Sequence, residues 1–478
     1  MRRVLSCIVV LVSVVLLTLP SKAGPGQPRR PEWAALYRGP NAGLDQPHAI
    51  GVSPDGRIVF VGGVHHVVGG FDQVTIAYDA GSGRKIWSAV HGGRIPRRVI
   101  ALAVSPLGDR VFVTGTIYHP RSSGLDFLTV AYSARRGKRL WTREYEGPGP
   151  VAGADEPAAI MVDPSGRRVY VVGTSLEDGV ESFTAIAYGA GTGHTEWISH
   201  LSRDPGNGSS HEPYASATSA ALSPTQRVLY VTGFTTDAFV IHGTTIALRT
   251  GTGGTKWIAD DTVPGSYFWP SAVSMSLDGG RIYVSGPGGG TNGVPFEAVT
   301  VAHAAEDGSV IWTRAQRDMY WPVVSAVTPF GGRIVVASGG SGYDDRSGAS
   351  LEHWVVACYR PRDGRRLWER FFGSQAGIAS EFPYAVAASP LEPRIYVVGS
   401  IASRSRHDWW GIAAYRVTDG RRLWWGRIVG PWRGSGADRD AVAVSAWGRH
   451  VVITGASAEE ASDGPGLDLN FLTAAYQG

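Results

Sequence analysis

Asp126-Phe127-Leu128-Thr129-Val130-Ala131-Tyr132, followed by Gly137-Lys138-Arg139-Leu140-Trp141-Thr142-Arg143-Glu144-Tyr145-Glu146-Gly147-Pro148, is the stretch whose reading decides the fold. A run rich in β-branched and aromatic residues meets a tight glycine turn, and a second short run centred on a tryptophan follows. That composition reads as two antiparallel strands rather than a helix. The Gly-x-x-x-Trp core recurs at Gly83/Trp87, Gly137/Trp141, Gly193/Trp197, Gly253/Trp257, Gly308/Trp312, Gly364/Trp368 and Gly420/Trp424. Trp33 stands 54 residues before Trp87 with no repeat body ahead of it. Successive tryptophans lie 54 to 60 residues apart, the period of a repeat architecture.

Working outward, every repeat carries the same parts. An apolar stretch ends in a turn such as Pro54-Asp55-Gly56. A strand then closes on glycine, as in Tyr170-Val171-Val172-Gly173, and a polar loop of variable length follows. A third strand ends in an aromatic, as in Ile186-Ala187-Tyr188, before the glycine turn and the tryptophan strand. Four short strands cannot bury both faces of one sheet alone, so neighbouring units must stack, and radial stacking gives a β-propeller. Trp33, Trp87, Trp141, Trp197, Trp257, Trp312, Trp368 and Trp424 are then packing residues between blades. The glycine four residues before each of the last seven is expected to set the turn that positions it.

Eight inner sets begin near Ala49, Ala101, Ala159, Ser219, Ser271, Ser325, Ala385 and Ala441, but only seven are followed by their own tryptophan strand. Trp33 to Tyr37 with Gly39-Pro40 matches Trp141 to Tyr145 with Gly147-Pro148. The expected fold is therefore all-β: an eight-bladed propeller of four-stranded antiparallel blades, residues 32–478 in one domain. The N-terminal strand supplies the outer strand of the last blade and removes exposed edges.

Ahead of that domain, Arg2 and Arg3, the apolar run Val4 to Leu19 and Ser21-Lys22-Ala23 read as a signal peptide over residues 1–23. A short flexible leader is expected over 24–31. Cleavage would remove Cys7 and leave Cys358 without an internal disulfide partner. It would also remove three cations and bring a formal net charge of +4 down to +1. At that value the whole-chain charge gives no case for nucleic acid or an anionic membrane. The expectation is a secreted or cell-envelope monomer with no membrane span after cleavage.

The quoted unit, with Val162-Asp163-Pro164-Ser165-Gly166 and Val169-Tyr170-Val171-Val172-Gly173-Thr174 after it, closely resembles the bacterial β-propeller repeat family. Its Gly-x-x-x-Trp core is similar to the tryptophan-docking motif of quinoprotein-like propellers. Those include pyrroloquinoline quinone (PQQ) dehydrogenases and an outer-membrane assembly factor. The resemblance implies the fold over nearly all of the chain from 32 onward. It leaves activity open, because such repeats serve enzymes and binding proteins alike. The vicinal Cys-Cys disulfide that the alcohol dehydrogenase branch places against its quinone has no counterpart here, and no PQQ-binding or catalytic Asp position of that branch maps onto the chain.

The chain has no His-Glu-x-x-His, Gly-x-Ser-x-Gly, Walker-type loop or Cys-x-x-Cys, and no catalytic residue is assigned. What remains is a loop-rich face. On it Arg404, Arg406, His407, Asp408, Trp409 and Trp410 bring cations, an imidazole, a carboxylate and aromatic area together, the composition of a sugar or protein contact. One of the two tryptophans must turn inward if the strand has begun. Asp45, Asp155, Glu212, Glu381 and Asp440 are expected near the mouth of the central channel. The leading expectation is a non-enzymatic scaffold that binds an envelope protein, a glycan or another polar ligand, with no cofactor. Two alternatives stay open: a PQQ-dependent oxidoreductase with calcium and an atypical site, or a hydrolase or lyase using channel-mouth carboxylates.

Overall fold

A computed structural model describes residues 28–478 except 42, 93–96, 120–123, 149–153, 178–179, 202–213, 238–239, 262–266, 290–296, 318, 345–348, 374–377, 404–407, 429–442, 448–449 and 461–466. The described residues form eight antiparallel sheets and no helix. The first blade runs Gln46–Val52, Ile58–Val67, Gly70–Asp79, Lys85–His91. The eighth holds Ala443–Trp447, His450–Glu460 and Leu467–Gln477 from the C-terminal end of the chain, and Trp33–Tyr37 as its outer strand. Trp33 pairs with Ala475 and Tyr37 with Phe471, so the eight-bladed, N-terminally closed ring expected from the repeats is the fold. The fifth blade departs from the plan, its inner strand divided into Tyr267–Phe268 and Ala272–Met275.

The blade junctions show what the repeat encodes. The indole N–H of Trp141 donates to the Ala190 carbonyl of the next blade at 3.0 Å, and its ring lies 6.0 Å from Tyr188. Trp33, Trp87, Trp197, Trp257, Trp312 and Trp368 donate in the same way to Ala80, Ala134, Thr250, Ala305, Pro361 and Val417. Spacing alone ties each glycine to the tryptophan four residues on. Packing ties it instead to the tryptophan of the blade before. A Cβ on Gly193, which sits at φ 68°, would run into the Trp141 ring, and Gly83 meets Trp33 in the same manner. The motif is thus split: its glycine is a platform and its tryptophan is the next blade's wedge.

A second layer of wedges lies higher in the blades. Phe127 packs on Gly173, Phe183 on Gly233, Trp410 on Gly455 and Phe471 on Gly63. Several of these glycines also face a bulge in the inner strand, where the carbonyls of Gln46, Glu156 and Ser216 occupy the space a Cβ would need. Gln73 holds the equivalent strand position in the first blade, fully buried.

The eighth junction is built differently. Trp424 stacks on Tyr476 at 5.8 Å, but its indole N–H meets no acceptor among the described residues. The Arg29 guanidinium covers its ring at 4.7 Å. Arg29 also donates its backbone N–H to Trp425 O and its side chain to Gln477 O. The end of the stretch expected to be a free leader is therefore anchored across the closing seam.

Candidate interaction face

Strand direction gives the ring two unlike faces. Turns from inner to second strand and from third to outer strand lie on one of them. The second-to-third hairpins and the blade-to-blade connections lie on the other, the loop face.

Over the second and third blades the loop face gathers titratable groups. His119 Nε2 lies 3.4 Å from Asp126 and 3.3 Å from Glu144. Asp126 is 5 % exposed, and burial pushes its carboxyl up to about 6; His119 opposes that rise while Glu146, Asp155 and Glu144 add to it. Glu181 rises to about 7, again by burial first and by the charge of Glu156 second. Tyr214 is raised by burial and by the same two glutamates. Alongside, the Tyr145 hydroxyl contacts His200 Nε2 at 3.2 Å, and His200 Nδ1 contacts Thr184 at 3.2 Å. Strand pairing holds these groups on a rigid sheet end rather than on a free loop. Sequence spacing did not reveal the contacts themselves, because Glu144 reaches His119 from another strand and Tyr145 reaches His200 from the neighbouring blade.

Two of the carboxylates expected at the channel mouth have another task. Asp155 accepts backbone N–H groups from Gly147 and from Leu176, the latter at 2.9 Å. Asp45 accepts them from Gly39 and, at 3.0 Å, from His66. Each therefore fastens the tail of one outer strand to the second strand of the next blade, with its oxygens already used. Both are buried, which raises their pKa against the lowering effect of those N–H donors. They are clamps, not exposed channel ligands. Glu381 lies in the strand Ile378–Ala388 opposite Ile401, while Glu212 and Asp440 fall outside the described residues.

The seventh-blade run is also corrected in part. Trp410 is 5 % exposed, and its indole donates to Ala456 O at 2.7 Å across the junction with the eighth blade. It is a packing wedge and offers no contact area to a ligand. Asp408 and Trp409 lie in the strand Asp408–Arg416; Arg404, Arg406 and His407 lie outside the described residues.

A quinone enzyme of this fold would need a calcium-binding set beside its cofactor. Among the described residues no group of three or more His, Cys, Asp or Glu side chains is placed to hold a metal ion. Cys358 is fully buried in the sixth blade.

Among solved structures, the chain is similar to Chaetomium thermophilum Sqt1 bound to the N-terminus of ribosomal protein L10. Identity is 14%, coverage 94% of this chain and 100% of that one, and the TM-score 0.56. A second Sqt1 structure gives 14% identity, 93% and 100% coverage and a TM-score of 0.52. At this identity the likeness shows the fold alone. The comparison with curated proteins finds no match. The family described as outer membrane protein assembly factor BamB matches residues 33–285 and 184–457, which together span nearly the whole ring. With its tryptophan-wedged blades and its N-terminal closing strand, the chain belongs to that family.

Proposed function

We propose that this protein is a non-enzymatic, exported scaffold of the cell envelope that holds a partner protein on its loop face. The observation that supports this reading is the acidic strip over the second and third blades, mounted on a ring that wedges and clamps hold rigid. Glu144 and Glu146 lie beside His119 and Asp126 on the second blade and Glu156 lies beside Glu181 on the third, a surface suited to a cationic segment. The family assignment and the protein-bound propeller of the same fold are consistent with it. A photo-crosslinking residue at Glu146 or Glu156 in the full chain, expressed in its native cell, should capture a discrete protein band. The same residue at Ile258, on an outer strand, should capture none. Glu156→Gln with Glu181→Gln should weaken capture more than tenfold, about 1.4 kcal/mol. Equal capture from both positions would sink the assignment.

The raised carboxyls Asp126 and Glu181 favour one second reading, acid–base chemistry on a glycan held over the same strip. It requires turnover of a cell-wall oligosaccharide that Asp126→Asn abolishes; without turnover the scaffold reading stands.

A further inference from the structure

The face opposite the loops carries a second surface that the near-neutral net charge conceals. In the second blade the turn Arg135–Arg139 has cations at four of its five positions and no acid. In the sixth, Arg360–Arg366 sets four arginines against Asp363, and in the seventh Arg416–Arg422 sets three against Asp419. Carboxylates on this face are largely engaged with their own turns: Asp55 with Ser53, Asp79 with Ser82, Asp363 with Arg360 and Asp419 with Arg416. Arg135, Arg136 and Lys138 are exposed. The two faces thus have opposite character, acidic at the loops and basic at the turns.

The turns of the basic face are also uniform. The connection from third to outer strand has the same length in blade after blade, from Asp79 to Lys85, Ser133 to Arg139, Gly189 to Thr195 and Arg416 to Arg422. Each closes on a positive-φ glycine, such as Gly83, Gly137, Gly193 or Gly420. Apolar side chains project from the companion turns. Leu107 is 64% exposed, Leu277 57%, Phe330 37% and Leu391 61%, all in the turn between inner and second strands. Single exposed leucines are ordinary. Here Leu107, Phe330 and Leu391 share one turn position, two residues after Ser105, Thr328 and Ser389, and Leu277 stands one place earlier in its turn, all on the same face as the cations. A soluble polyanion would need the charge but not the apolar tips.

From this juxtaposition we infer that the turn face is a docking surface for an anionic lipid bilayer: arginines and lysines meet the headgroups while the leucine and phenylalanine tips enter the interface. The ring would then lie flat on the membrane with its acidic loop face directed away from it. Co-sedimentation of the full chain with vesicles of phosphatidylcholine containing roughly a third phosphatidylglycerol tests the inference. Binding is expected to these vesicles and not to pure phosphatidylcholine, and to fall steeply in about 0.5 M salt. Arg135→Glu with Arg136→Glu and Lys138→Glu should weaken it more than tenfold, as should Leu277→Ser with Leu391→Ser. Circular dichroism melts would verify that both variants stay folded. The loop-face pair Glu156→Gln with Glu181→Gln should leave vesicle binding unchanged, which separates this surface from the partner site above. Equal binding to neutral vesicles, full binding by either turn-face variant, or binding to soluble dextran sulfate without vesicle binding would overturn it.

Discussion

Seven blade junctions and the eighth solve the same packing problem with different means. At the regular ones an indole lies on a left-handed glycine of the next blade and its N–H finds a carbonyl, as Trp141 does with Gly193 and Ala190. At the closing seam Trp424 keeps its tyrosine, Tyr476, but its N–H meets no acceptor among the described residues, and a guanidinium covers the ring. A buried donor without a partner costs about 1 to 3 kcal/mol relative to a satisfied one. The cation–π contact of Arg29 returns about 0.5 to 2 kcal/mol. The repeat is thus strongest where it is regular, and its least well satisfied junction is the one between the seventh blade and the blade that closes the ring. Arg29 is what the chain adds there.

The largest expected effect breaks a regular junction. Trp141→Ala removes a core indole and its hydrogen bond and should cost about 3 to 5 kcal/mol in denaturant unfolding. Trp424→Ala should cost less, because no N–H bond is lost with it. Equal losses would mean that the seam is as well made as the rest.

The fourth and fifth blades meet through a further variant, which responds to pH. His303 stands where Tyr132 and Tyr188 stand in their blades. It is fully buried, with Nε2 3.0 Å from Asp261 and Nδ1 2.9 Å from Gly308 O. Burial opposes its protonation, but the Asp261 hydrogen bond, the Asp261 charge and the Gly308 carbonyl together raise its pKa above 6.5. A raised folded-state pKa gives stability that is complete below the unfolded value and lost as pH rises through the folded one. Unfolding free energy should therefore fall by about 1.5 to 3 kcal/mol on the alkaline side of that transition, as a charged hydrogen bond is lost. Asp261→Leu with His303→Tyr should flatten this dependence; an unchanged slope would refute the assignment.

The smallest effect sharpens the contrast at the seam itself. Arg29→Ala should lower stability by about 1 kcal/mol. It should do so without altering the chemical shift of the Trp141 indole N–H, while shifting that of Trp424. A variant that melts like the parent, with both resonances unmoved, would make Arg29 a bystander.

What could be read along the chain was whatever repeats. The Gly-x-x-x-Trp spacing, the strand ends on glycine and the match of Trp33–Tyr37 to Trp141–Tyr145 are local and periodic, so they carried the propeller, its blade number and its closure. The candidate sites resisted the same reading. Asp45 and Asp155 read as channel-mouth carboxylates, and only folding brought backbone N–H groups onto them from the next blade. That one of Trp409 and Trp410 must turn inward could be read from strand alternation, but only strand pairing showed that it is Trp410, packed against Gly455.

By itself, then, the sequence determined the architecture, because blade period, turn chemistry and wedge residues are written within each repeat. Tertiary structure alone decided which glycine serves which tryptophan, which carboxylates are clamps, and how charge divides between two faces. The physical reason is that these properties arise between blades. They depend on groups some fifty residues apart in the chain, such as Trp141 and Gly193, that meet only when the sheets stack around the ring.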